Sequence, residues 1–186
     1  MAVLNAIDPN EATGRTKEVL DAFERQLSRL PSMVRLMANS PATADAYLHF
    51  NIAFEGSAIP PKTRVLLAAT IAELNRCDYT LSIAMAMGRR QGISEEELAA
   101  ARSRRARDPR TAATLEFASS IVRRQGHVRQ EEVASLKQNG FSDAEIVDII
   151  GAVALNLFRN YFNLVAEPEI DLPLVRTESS QMGQRG

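Results

Sequence analysis

The chain has 186 residues with a formal net charge of -1, 45% hydrophobic and 24% charged. That is enough for one self-sufficient core and too neutral to present a general field to nucleic acid or an anionic membrane. A single cysteine excludes an intrachain disulfide framework and fits a reducing compartment. The opening Met1–Pro9 lacks a basic segment followed by a long apolar run, and charges interrupt the later apolar stretches, so neither a signal peptide nor a membrane span is expected and the cytoplasm is the expected location.

Residues 11–29 place Val19, Leu20, Phe23 and Leu27 at helical spacing, an amphipathic helix that Pro31 stops. A short helix over 32–38 ends at Asn39-Ser40, and Pro41 suits the first turn of the next, which Glu55-Gly56-Ser57 breaks. After Pro60-Pro61, residues 62–75 are nearly all apolar, a helix buried on more than one side. Asn75-Arg76 is a weak break, and 78–91 resume the pattern until Gly92. Ser94 with Glu97, and Ser142 with Glu145, are capping boxes that start helices over 95–103 and 142–166. Between them lie helices over 110–125 and 130–138. Arg102 to Arg110 holds five arginines and reads as a solvated connection or a contact with acids such as Glu95–Glu97. No useful run alternates with period two, so the class is all-α. The tail, 174–186, is read as disordered.

Chemistry, if present, gathers at Cys77. A thiol at a helix N-terminus meets the positive end of the dipole, which favours the reactive thiolate, while the adjacent Asp78 opposes it. The competing reading makes Cys77 a small buried apolar residue. Asn156, Asn160 and Asn163 fall at i, i+4 and i+7 and share a face of the last long helix. They either knit helices together or meet a ligand. Tyr79 and Asn75 are further candidates to line a site. His49 and His127 complete no metal-ligand pattern, so neither metal nor cofactor is expected, nor is a nucleic-acid or membrane partner.

The stretch from Pro60 to Gly92 resembles the core motif of the carboxymuconolactone decarboxylase and alkylhydroperoxidase D (AhpD) group. The resemblance rests on Arg64, on Ala72-Glu73-Leu74-Asn75, on Cys77-Asp78-Tyr79 and on Gly92. It extends to Gly140–Val147, Asn156–Asn163 and Ile170–Pro173, which are similar to the peroxidase-related branch. It implies an AhpD-like bundle of about eight helices in one domain, with an N-terminal helical extension (1–57), a core (58–173) and the tail. It also implies a homo-oligomer, a site between the two helices of the motif, and an antioxidant activity, thiol-dependent peroxide reduction served by an external thiol reductant. In the redox-active relatives a second cysteine, a histidine and a glutamate complete the site; those positions are Thr80, Ala84 and Val65 here. The C-x-x-C site is thus degenerate, with Cys77 as the surviving thiol. Three functions follow: a single-thiol peroxidase, a redox-inactive small-molecule-binding or structural oligomer, and a lyase of the decarboxylase type in which Arg64 or Arg76 holds a carboxylate.

Overall fold

Ten α-helices and no strand make up the regular structure of the described residues, 3–27 and 30–182, in this computed structural model; side chains are described to residue 180. They are α1 (Gly14–Leu27), α2 (Ser32–Met37), α3 (Pro41–Phe54), α4 (Pro61–Leu74), α5 (Asp78–Arg90), α6 (Glu95–Arg102), α7 (Pro109–Arg123), α8 (Gln130–Gln138), α9 (Asp143–Ala166) and α10 (Glu178–Met182). The helix expected over 11–29 starts only at Gly14, because Asp8 folds the preceding residues into a turn, accepting from the Asn10 N–H at 2.9 Å. Residues 28 and 29 of that expectation lie outside the described set.

The helix starts are those that local chemistry dictates. Ser94 and Ser142 accept from the N–H groups of Glu97 and Glu145, whose carboxylates return to the serine N–H groups, so both capping boxes form. Asp108 accepts from the Thr111 N–H at 2.7 Å at the head of α7.

Helix α4 is the axis of the molecule. Every residue from Val65 to Ala72 is buried, and α5, α6, α7 and α9 pack around it. One apolar cluster joins these helices; a second joins α1, α2 and α3 to Cys77, Tyr79 and Leu155. The N-terminal helices are therefore seated against the start of α5 and the middle of α9. At 24 residues α9 has the length and apolarity of a membrane-spanning helix, but 44% of its most apolar window is buried in the protein, against the expectation that charge would interrupt every such run. It is a core helix.

The stretch read as a disordered tail departs from expectation up to residue 182; 183–186 lie outside the described residues. Thr177 is fully buried, its N–H and hydroxyl both donating to Asp78 Oδ1, and the Val175 N–H donates to Ser82 Oγ at 2.9 Å. The Glu178 N–H donates to Glu73 Oε1 at 2.7 Å, and α10 follows. The polar composition that suggested disorder serves here to satisfy the helix ends around the α4–α5 break. Helix α10 is also the one helix that no sequence signal marked, and with it the count is ten against the eight or so expected.

The arginines of 102–110 are mostly occupied within the chain. Arg102 Nε meets Glu73 at 2.8 Å, Arg107 meets Glu96 at 2.6 Å and Arg110 meets Glu145 at 2.5 Å.

Candidate ligand cavity at the helix break

The break between α4 and α5 is a complete Schellman turn. The Cys77 N–H donates to Ala72 O at 2.9 Å and the Arg76 N–H to Glu73 O at 3.2 Å, with Arg76 in the left-handed conformation at φ 57°. This geometry delivers Cys77 to the N-cap of α5. Its side chain turns inward: Cys77 is 1% exposed, and its thiol donates to Thr80 Oγ1 at 3.3 Å. The same oxygen accepts from Asn163 Nδ2 at 3.1 Å, so α5 and α9 are joined through a buried thiol, hydroxyl and amide.

The carboxylates at the break are equally committed. Glu73 holds Arg102 and the Glu178 N–H, and Asp78 holds Thr177. Tyr79 and Ser32 converge on Asp171: the Tyr79 hydroxyl donates to Oδ2 at 3.4 Å, and Ser32 gives its N–H to Oδ2 and its hydroxyl to Oδ1. Asp171 thereby ties the C-terminal segment to α2 and α5.

A cavity of about 450 Å³ lies between the two apolar clusters, within the range of small-molecule sites. Val65, Thr80 and Ala84 all border it, and Cys77 does not. Of the side chains read as site-lining, Tyr79 and Asn156 border the cavity, whereas Asn75 and Asn160 stand off it. Asn75 is the C-cap of α4, beyond its last turn. Asn160 sits about 6 Å further along α9 than Asn156; it is fully buried, and neither of its amide atoms has a hydrogen-bond partner. His49 and His127 are both exposed, and no group of three or more metal-ligating side chains occurs among the described residues.

Of the remaining wall only Arg64 is singled out in the sequence. Met33, Tyr47 and Phe54 come from the N-terminal helices, and Arg64, Arg90 and Arg159 also border the cavity. Arg64 donates to Phe54 O at 2.5 Å, pinning the end of α3 to α4; Arg159 donates to Asn156 Oδ1, with its Nε buried and without a partner. Among the described residues, none of these three arginines forms an ion pair with a carboxylate. The available signal was the placement of Arg64 and Arg159 within the segments that carry the family resemblance. Only the folded chain brings Arg90 beside them.

The arrangement defines an all-α protein with an AhpD-type core, a cavity beside its central helix hairpin, and its one thiol withdrawn behind a threonine. Solved structures share the fold. An alkylhydroperoxidase AhpD core, an uncharacterised peroxidase-related protein from Ralstonia eutropha JMP134, superposes with a TM-score of 0.80 at 15% identity, covering 91% of this chain and 92% of that one. The debrominase Bmp8, in a cysteine-to-alanine form in complex with 2,3,4-tribromopyrrole, gives 0.77 at 18% identity and covers 92% of both chains. A putative antioxidant defence protein AhpD from Agrobacterium tumefaciens gives 0.63 at 18% identity, over 73% of this chain and 94% of that one. No curated protein matches the sequence significantly. Residues 41–123, from the start of α3 to the end of α7, match the model of the carboxymuconolactone decarboxylase family. The matched stretch begins with α3, inside the segment expected to be an extension.

Proposed function

We propose that this chain is a small-molecule-binding member of the AhpD-like family that no longer runs a two-cysteine peroxide cycle. The observation that carries the reading is the division of the site. The positions of the missing cysteine, histidine and glutamate, now Thr80, Ala84 and Val65, border a cavity of about 450 Å³, while the remaining thiol is 1% exposed and bonded to Thr80. The wall supplies apolar surface from Val65, Ala68, Ala84 and Met33, with arginines that lack carboxylate partners. A compact, largely apolar molecule bearing an acceptor or anionic group suits that chemistry. The tribromopyrrole complex of the debrominase supports the reading that this fold accommodates a small halogenated ring.

The second reading keeps the family's thiol chemistry. Cys77 Sγ is one side chain behind the cavity wall, so opening the Thr80 contact would let the thiolate displace alcohol from a hydroperoxide. The sulfur would become a sulfenic acid, and an external dithiol would reduce it with release of water.

One experiment separates the two. Intact protein is treated with hydrogen peroxide and with cumene hydroperoxide, with and without dithiothreitol, and the thiol is then titrated in denaturant. Binding of 8-anilinonaphthalene-1-sulfonate is followed in parallel by fluorescence. The expected result is no turnover above buffer, one titratable thiol retained, and dye binding weakened at least tenfold by Ala84→Phe. Turnover abolished by Cys77→Ser would establish the thiol reading and overturn ours.

A further inference from the structure

We infer that Arg159, aimed by Asn156, is the anion anchor of the cavity, and that its ligand is a compact apolar monocarboxylate. The inference rests on the small-molecule reading above and gives that ligand its chemical class. Every other partly buried arginine among the described residues has a charged or carbonyl partner. Arg102 meets Glu73, Arg104 meets Glu116 and Arg176 meets Asp78, while Arg35 donates to Ile7 O and Arg64 to Phe54 O. Arg159 has only Asn156 Oδ1, the neutral amide of a residue one turn earlier on its own helix. Its Nε is buried without a partner, and its Nη1 has none among the described residues. Arg90, also at the border, is exposed, so water solvates its charge. A guanidinium drawn partly out of water with no counter-charge is costly, and a bound anion offsets that cost.

Asn156 supplies the aim. It is buried at the cavity border, and its Nδ2 donates to Ala152 O at 2.8 Å, which leaves Oδ1 to hold Arg159 Nη2. A carboxylate at this position would pair with the guanidinium and cancel its charge. An amide accepts the same hydrogen bond and leaves the charge to a ligand. The two carboxylates at the cavity border are engaged elsewhere: Asp171 by Ser32 and Tyr79, and Glu55 by the Gln26 amide at 2.8 Å. The planar fork of arginine matches a carboxylate, and Val65, Ala68, Ile83 and Ala84 offer aliphatic surface to the body that carries it. One such anchor calls for one anionic group.

The test titrates the full chain calorimetrically with two matched probes, cyclohexanecarboxylate and its neutral counterpart cyclohexylmethanol. Wild type is expected to bind the carboxylate at least about tenfold more tightly than the alcohol, the worth of one charge-assisted hydrogen bond. Arg159→Met keeps an apolar stem and removes the charge. It is expected to bind both probes alike, with the affinity that wild type has for the alcohol, and circular dichroism checks that it is folded. Asn156→Ala is expected to weaken the carboxylate and leave the alcohol unchanged, which separates aiming the guanidinium from merely packing the wall. Ala84→Phe is expected to weaken both probes and so locates them in the cavity. A wild type that binds the two probes equally, or prefers the alcohol, overturns the inference and leaves the small-molecule reading standing. An Arg159→Met variant that loses the alcohol as well assigns Arg159 to packing and also overturns it. Neither probe binding at millimolar concentration, with no dye bound either, removes the small-molecule reading and the anchor with it.

Discussion

Thr80→Cys rebuilds the C-x-x-C spacing and tests whether the turn at α5 retains the geometry of a disulfide site. In the reduced variant the hydroxyl that accepts from Asn163 Nδ2 at 3.1 Å is gone, and Asn163 Oδ1 is already buried without a partner. The amide nitrogen keeps only its 3.9 Å contact to Met33 Sδ, and a buried donor left without a good acceptor costs about 1–3 kcal/mol. For a chain of this length each kcal/mol lowers Tm by roughly 2–4 °C, so the reduced variant melts roughly 2–12 °C below wild type. Oxidation acts in the opposite sense. Cys77 Sγ and Thr80 Oγ1 are already 3.3 Å apart, and a disulfide closes at about 2.0 Å, so small side-chain adjustments suffice. Closing so short a loop contributes about 2 kcal/mol in the chain-entropy account, enough to offset most of the loss. Calorimetry with and without dithiothreitol, together with thiol titration in denaturant, should find two thiols in the reduced form and none in the oxidised form, with Tm recovering on oxidation. Wild type, whose lone Cys77 has no partner within the chain, should show no such recovery. Two thiols persisting after oxidation, or a Tm that falls on oxidation, would refute the claim that the turn is still built for a pair.

Gly88→Ala sets a packing cost against a helix-propensity gain: the new Cβ would stand 2.4 Å from Leu98 Cδ2 in a fully buried contact. Overpacking at about 1–3 kcal/mol outweighs a gain of at most about 1 kcal/mol, so urea denaturation should show a lower midpoint. Asn160→Leu removes a fully buried amide without partners and should leave stability unchanged or raise it by about 1 kcal/mol; a loss above about 2 kcal/mol would mean that the amide has a partner. Glu132 is held down to about 2, foremost by the Ser120 hydroxyl and then by the Arg129 N–H. A depressed carboxylate contributes stability above its ordinary value of 4.5, and that contribution is lost as pH falls from 4.5 toward about 2. Ser120→Ala should move the Glu132 titration upward in an NMR pH series and narrow that acid window.

The helices were legible because they are written locally. The S-x-x-E boxes at Ser94 and Ser142, the prolines at 41, 61 and 109 and the all-apolar run of α4 each fix an element within a few residues of itself. The cavity was legible only in part. Val65, Thr80 and Ala84 could be placed on it through the family motif, but Met33, Tyr47 and Phe54 come from helices whose sequence records only that one face is apolar. The tail was misread for a related reason. Composition treats Thr177 as a solvated hydroxyl, and nothing near it in sequence discloses that Asp78, 99 positions earlier, waits as its acceptor.

The polar groups around the break carry a common pattern of use. In a reactive thiol site the neighbouring donors and acceptors must be free to move a proton; here they are already bonded to the scaffold. Asp78 holds Thr177, Glu73 holds Arg102 and the Glu178 N–H, Thr80 receives both the Cys77 thiol and Asn163, and Tyr79 donates to Asp171. These bonds close the outside of the helix hairpin and fix the orientation of α5 against α9, which holds the cavity wall in place. On the proposed reading, a two-cysteine cycle would need more than a second sulfur. Thr80→Cys combined with Val65→Glu and Ala84→His returns the missing side-chain types to the cavity border, but the added carboxylate would enter a wall of aliphatic neighbours, where an unpaired charge is costly. The arginines at that border, Arg64, Arg90 and Arg159, are the groups that could compensate it.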